Sequence, residues 1–393
     1  MIRRGAGAAG ILLVVALAFA VAAARHAQPA EVSPVTPAGA WNGVWIGAVI
    51  AALVVYVVAL VVVRTGLAAV LVVAATVQLI PLAAPLLLSK DAYLYWSEAR
   101  TVLVHHASPY RSTPGDFPAD PSTRYVSEEW RNDAAPYSPT WEVLTLVPGA
   151  AAGTSHRHAA FAYKLFAVLG VLLTLGLVAW RTRNAAAVAL LGWNPLVALH
   201  FGGGGHNDGW LMTLVLVGIA AGALARGGAA WSLAAAFKPV PLVLLPLDLA
   251  ADRLRRPRRF WLGLVAAGIV ILAVFGSLWG FGWVRSSLVG VHGASPLGGV
   301  HWLTEAGLTH HDAVAVGGLV FVAVYCALLV RAWRSGAAHL ALAATTLCLT
   351  TSLLRPWYAL WPLALAALEE DVVGAAAAVA LSAYVLLGDA LSL

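Results

Sequence analysis

Apolar runs that approach the thickness of a bilayer alternate with short polar connectors along almost the whole of this chain. The clearest runs are residues 8–24, 41–63, 67–88, 161–180, 211–225, 260–281 and 314–330. Shorter ones lie at 141–152, 185–199, 229–249, 340–354, 357–368 and 372–391. A crossing helix needs roughly 20 apolar residues, so the pattern predicts an all-α, polytopic membrane protein of about 10 to 13 helices in a single integral domain spanning 1–393. Within it, 1–66 are N-terminal helices, 67–250 a central module and 251–393 C-terminal helices. One stretch breaks the alternation: residues 89–139 are polar, open with Lys90-Asp91-Ala92-Tyr93, and lie between strongly apolar segments. This predicts a large extramembrane loop with short surface helices.

Composition narrows the partners. The chain is 61% hydrophobic and 11% charged, and its formal charge of +6 is spread over short basic clusters between apolar runs. That distribution is a topology signal rather than a polyanion surface, so membrane lipids are expected neighbours and nucleic acid is not. Cys326 and Cys348 both fall in apolar segments and make neither a disulfide framework nor a metal site. Arg3-Arg4, the following apolar run and Ala22-Ala23-Ala24 read either as a signal peptide or as a retained first helix. In both cases the chain from Arg25 onward starts outside.

Placing Arg3 and Arg4 in the cytoplasm, with Arg64 inside again after the second helix, puts 89–139 on the outer side. The clusters Arg181-Arg183, Arg226, Arg253 to Arg259 and Arg331-Arg334 should then all be cytoplasmic. They are, provided that 141–152 is a half-span or surface helix, because about 12 residues at ~1.5 Å each do not cross. The segment Phe237-Lys238-Pro239-Val240-Pro241 should enter and leave by one face, with its prolines breaking the helix.

Candidate chemistry gathers in four places. Asp91 sits at a water interface, either as a helix-end cap or as a general base for a hydroxyl. Around it come Tyr93, Tyr95, Tyr110, Trp130 and Tyr137, rings that stack on sugars and also anchor proteins at membrane interfaces. Gly202-Gly203-Gly204-Gly205-His206-Asn207-Asp208 combines a tight backbone with donors and acceptors at a helix start, where Asp208 can serve as the N-cap. His206 and Asp208 lack a closely spaced third ligand, so no metal is expected. Lys238 is one of three lysines, and an intramembrane cation by default marks a function. Its expected counter-charge is a phosphate. Arg355-Pro356-Trp357-Tyr358 interrupts apolar sequence in the same way and offers a second cation. The histidines at 292, 301, 310 and 311 match no ligand spacing.

Taken in order, Asp91-x-Tyr93-x-Tyr95, Ser108-Pro109-Tyr110, Trp130 with Ala135-Pro136-Tyr137-Ser138-Pro139, Asn194-Pro195, Gly205-His206-Asn207-Asp208 and Lys238-Pro239 resemble the motifs of the polyprenol-phosphate-mannose-dependent α-1,6-mannosyltransferases of actinobacteria, in the GT-C class. The resemblance covers about 89–241 and returns around Trp357-Tyr358. Ser138 stands where that family has glycine, and His106-Ala107 where a glycine is usual before the Pro-Tyr pair. The resemblance implies a GT-C-like bundle whose 67–250 segment is the catalytic module. It implies transfer of mannose from a polyprenyl-phosphate sugar to a glycolipid or polysaccharide acceptor of the cell envelope, on the extracytoplasmic face. Asp91 would be the base. Lys238, Arg355 and His206 would bind the donor phosphate, and Tyr93, Tyr95, Tyr110, Trp130, Tyr137, Asn207, Asp208, Trp357 and Tyr358 would bind substrate. Cationic side chains would serve without a metal or other cofactor.

The main rival is a transporter or flippase for a lipid-linked or anionic substrate, since broken helices and a mid-membrane cation also build transport sites. About fifty aromatic-rich polar residues on one face argue against it, as does the lack of a second half echoing the break at 237–241. A membrane scaffold leaves Lys238 unexplained.

Overall fold

The computed structural model describes residues 2–27, 39–62, 66–289 and 295–391, so Arg64 and His292 lie outside the described residues. Those described form helices joined by short turns, without strands. Six helices are long and apolar enough to cross a membrane: Gly7–His26, Ala40–Val62, His156–Thr182, Arg258–Trp279, His310–Ser335 and Val372–Leu391. Ala185–Gly192 and Pro195–Gly203 make a seventh candidate, bent by 45°. Four shorter apolar helices complete the bundle, at Leu67–Ala83, Asp208–Ala220, Val240–Ala251 and Leu340–Thr350. The polytopic all-α expectation holds. Arg258–Trp279 and His310–Ser335 keep most apolar side chains on the outer surface, Ile269 and Leu319 among them.

Several runs are shorter as helices than as sequence. Residues 67–88 form a helix only to Leu79, then one 3-10 turn over Ile80–Ala83 with Pro81 at its start. Proline supplies no amide to continue the ladder. The carbonyls that this break leaves are taken up from another helix: Lys164 Nζ donates to Leu82 O at 3.0 Å and to Ala84 O at 2.5 Å. Residues 141–152 fall into Pro139–Leu144 and Leu146–Ala152, two helices of 6 and 7 residues. Neither can span, in line with the half-span reading. Residues 229–249 divide at the expected break, giving Ala225–Ala235 and Val240–Ala251 on either side of Lys238-Pro239.

The polar stretch is a folded cap rather than an open loop. Its helix Asp91–Leu103 buries Tyr93, Tyr95, Trp96, Glu98 and Arg100 together. Arg100 Nε donates to both oxygens of Asp120 at 2.8 and 3.0 Å, His105 Nε2 lies 2.8 Å from the same carboxylate, and Ser122 donates to it through its amide and its hydroxyl. Burial works to raise the Asp120 carboxyl, but these donors outweigh it and hold the group below the ordinary carboxylate range. Tyr125 then ties the cap to the next long helix through His156 Nδ1 at 3.0 Å. Under the helix, Glu98 and Glu142 are buried without hydrogen-bond partners among the described residues. Burial pushes both carboxyls well above their usual range, and for Glu98 the neighbouring Glu142 charge adds to it.

Candidate active site

Beneath the cap lies a cavity of about 370 Å³, within the range of small-ligand sites. Its wall is drawn from segments far apart in the chain: Lys90, Asp91, Trp130 and Tyr137 from the cap, Lys238 from the central break, Arg355, Trp357 and Tyr358 from the later break, and Asp389 from the last helix.

Asp91 opens the cap helix, and three neighbours hold it. Its amide donates to Ser89 Oγ at 3.1 Å, Tyr95 Oη donates to Oδ2 at 3.4 Å, and His206 Nδ1 lies 3.5 Å from Oδ2. Burial works to raise this carboxyl, yet the His206 imidazole beside it, with Arg355 and Ser89 adding to its effect, brings it below the ordinary value. Asp91 is therefore an ionised acceptor aimed at a cavity. Tyr95 bonds in turn to Tyr137 Oη at 3.2 Å; burial first, then neighbouring Tyr137 and Asp91, keep the Tyr95 phenol protonated.

The glycine run is what lets His206 reach Asp91. After Asn194 caps the turn at Pro195, with its side-chain oxygen accepting from the amides of Leu196 and Val197, the chain runs through a π-helical turn at Ala198–Gly203. A Cβ on Gly202 would stand 2.6 Å from Gln78 O, and one on Gly203 2.7 Å from Leu87 Cδ1, so this backbone lies against its neighbours with no room for side chains. The turn directs His200 and His206 inward, both fully buried. His206 lies flat on Trp357, ring centroids 3.6 Å apart and planes 15° apart.

Asp208, also fully buried, does not cap its helix. Its carboxylate accepts from Lys238 Nζ at 2.8 and 2.9 Å and from Trp361 Nε1 at 2.8 Å. The counter-charge that the structure gives Lys238 is thus a carboxylate, where the sequence led us to expect a phosphate. Lys238 Nζ also stands 5.4 Å from the centroids of both Tyr137 and Tyr358 and lines the cavity. Arg355 differs. Among the described residues its guanidinium has neither ion pair nor hydrogen bond, and it stands 6.0 Å from the Trp357 ring centroid.

Residues 4–251 match the family model described as alpha-(1->6)-mannopyranosyltransferase, N-terminal domain. The chain belongs to that family. Among curated relatives of this mannopyranosyltransferase family, a probable alpha-(1->6)-mannopyranosyltransferase of Mycolicibacterium smegmatis is 27% identical over 373 residues, covering 76% of this chain and 65% of its own. Alpha-(1->6)-mannopyranosyltransferase A of Corynebacterium glutamicum is 30% identical over 146 residues, 35% of this chain and 28% of its own. The chain thus spans just under two thirds of the Mycolicibacterium relative's length. No solved structure matches.

Of the residues singled out in this family member's sequence, Asp91, Trp130, Tyr137, Lys238, Arg355, Trp357 and Tyr358 meet in the cavity wall. Tyr95, His206 and Asp208 stand directly behind it, each bonded or packed to a wall residue. Asn207 is fully buried, its amide without a partner among the described residues. Tyr93 and Tyr110 point elsewhere, toward Tyr125 and Trp279 at 5.2 and 5.7 Å. Sequence reading missed His200, Trp361 and Asp389. A histidine and an aspartate inside apolar runs are a legible signal by themselves; Trp361 is not, since nothing marks which of 16 tryptophans faces a carboxylate.

Proposed function

We propose that this chain transfers mannose from a polyprenyl-phosphate carrier to a hydroxyl of a glycan or glycolipid acceptor, at the extracytoplasmic face of the membrane. The observation that carries the reading is the meeting in one cavity of an ionised, buttressed carboxylate, Asp91, with a cation, Arg355, that makes no ion pair or hydrogen bond of its own among the described residues. Four rings, Trp130, Tyr137, Trp357 and Tyr358, line the same space and suit a pyranose.

The step is a single displacement. Asp91 takes the proton of the acceptor hydroxyl, the acceptor oxygen bonds to the anomeric carbon, and the bond from that carbon to the phosphate oxygen breaks with its electron pair leaving on the phosphate. The negative charge that grows there meets Arg355, with Lys238 beside it, oriented by Asp208. His206 is a positioning residue on this reading. It keeps Asp91 ionised from behind while Trp357 holds the imidazole in place. A lipid monophosphate gains one charge in the step, and the proposal assigns its neutralisation to side chains alone.

Incubating the purified protein with labelled polyprenyl-phosphate mannose and a cell-envelope extract tests the proposal. A labelled glycan or glycolipid, lost in Asp91→Asn, is the expected product. Flux of the lipid-linked sugar across vesicles with no glycosyl product would overturn it in favour of a transporter.

A further inference from the structure

A second carboxylate faces the cavity with a histidine behind it. Asp389, near the end of the Val372–Leu391 helix, lines the same space as Asp91. Its Oδ2 lies 3.5 Å from His200 Nε2. The two carboxylate and histidine pairs share a base: the rings of His200 and His206 stand 5.6 Å apart, both pack on Trp357, and both come from the turn at 198–206. His206 lies flat on Trp357 while His200 is tilted against it by 46°, and Asp91 and Asp389 stand between these imidazoles and the cavity.

The second pair has no task in the displacement. Phosphate is a good leaving group and needs no proton, and Asp91 already serves as the base. Asp389 also makes no close ion pair with Arg355; its Oδ2 is buried against His200, and its Oδ1 makes no hydrogen bond among the described residues while the residue lines the cavity. An acceptor oxygen that faces a cavity without a donor is left for a ligand that brings one. Of the groups that the proposed donor carries, the phosphate repels it and the hydrocarbon offers no donor. Only the sugar hydroxyls fit, and the open Oδ1 takes one of them.

We infer that Asp389, seated on His200, is the hydroxyl anchor that fixes the donor sugar over Trp357, and so a specificity-determining residue of this site. The inference rests on the transferase reading for the identity of its ligand. It gives the cavity a division of labour: Arg355 and Lys238 for the phosphate, Asp389 for the sugar, Asp91 for the acceptor.

Equilibrium binding of labelled polyprenyl-phosphate mannose and of bare polyprenyl phosphate to the full chain in nanodiscs tests the anchor apart from transfer. Loss of the hydrogen bond to the sugar predicts that Asp389→Ala weakens the mannosyl lipid about tenfold. Bare polyprenyl phosphate should bind within about twofold of wild type, since no contact of the anchor to phosphate is invoked. Asp389→Asn, which keeps one acceptor oxygen, should fall between, and its binding of the bare lipid shows that the fold is intact. Equal losses for both lipids, or wild-type affinity for the mannosyl lipid in Asp389→Ala, would overturn the anchor. A wild-type protein that binds the mannosyl lipid selectively yet forms no glycosyl product would sink the transferase reading and leave the anchor standing. In turnover, His200→Gln should raise KM for the donor with little change in kcat, the split expected of a residue acting through Asp389. A fall in kcat at unchanged KM would overturn that assignment.

Discussion

Lys238 in the cavity wall and Asp208 behind it face each other across 2.8 Å, and the carboxylate is shared with Trp361. Two charges taken this far from water are tolerable only together. Asp208→Asn should therefore cost about 3–5 kcal/mol, because it leaves a lysine without its partner. The double variant Asp208→Leu with Lys238→Met should recover much of that loss while remaining inactive. Thermal unfolding in detergent, followed by size-exclusion chromatography of all three proteins, checks the order. A double variant no more stable than Asp208→Asn would show that the two residues do not act as a pair.

Asp91→Asn should lower transfer by about 10²–10⁴, the range for loss of general-base catalysis, with donor binding retained. The pH profile carries the finer test. The base works ionised, so activity is full above its pKa and falls as pH drops through it; with the Asp91 carboxyl held below its ordinary value, that fall belongs at acid pH. Removing His206 as His206→Gln takes away the largest lowering influence. The acid limb should then move to higher pH.

Glu98 and Glu142 predict the opposite slope, in stability rather than activity. Their folded pKa values stand above the unfolded ones, so the folded state holds more protons and loses stability as pH rises from about 4.3 toward the raised values. Glu142→Gln should unfold at a higher temperature than wild type near pH 8, with the gap narrowing toward pH 4. Melting curves across that range decide it.

Arg355→Ala should reduce transfer by about 10²–10³, the loss typical of removing one group that stabilises transition-state charge. Arg355→Lys should retain part of the rate, since it keeps the charge but not the planar fork. Activity should also survive dialysis against a chelator, because the charge is assigned to side chains. Loss of activity on chelation, restored by a divalent metal, would refute that assignment.

Much of the site is legible in the sequence. Lys238, Arg355 and Asp91 were conspicuous because charge is scarce in such a chain, and a charged residue in an apolar run has to be explained. The break at 237–241 was equally plain from its prolines. What escaped was pairing. Asp208 carried the ordinary signature of a helix cap, and only the approach of Lys238, 30 positions later, turned it into a counter-ion. The polar stretch 89–139 looked like a solvated loop because its helix Asp91–Leu103 carries glutamate and arginine; it is buried because those charges find partners or share confinement inside the cap. The run at 67–88 looked like a full crossing, since apolarity says nothing of the carbonyls that Lys164 collects at its broken end.

The cavity wall also divides in an uneven way along the chain. The family match ends at residue 251, whereas Arg355, Trp357, Tyr358 and Asp389 all follow it. On the proposed reading, the portion that the family model covers brings Asp91, His206 and Lys238, and the residues after it bring Arg355, the Trp357 ring and Asp389. Two chains alike up to residue 251 can therefore share a way of activating a hydroxyl while differing in the sugar they accept, so exchanging C-terminal portions between relatives is a direct route to altering donor choice without touching the base.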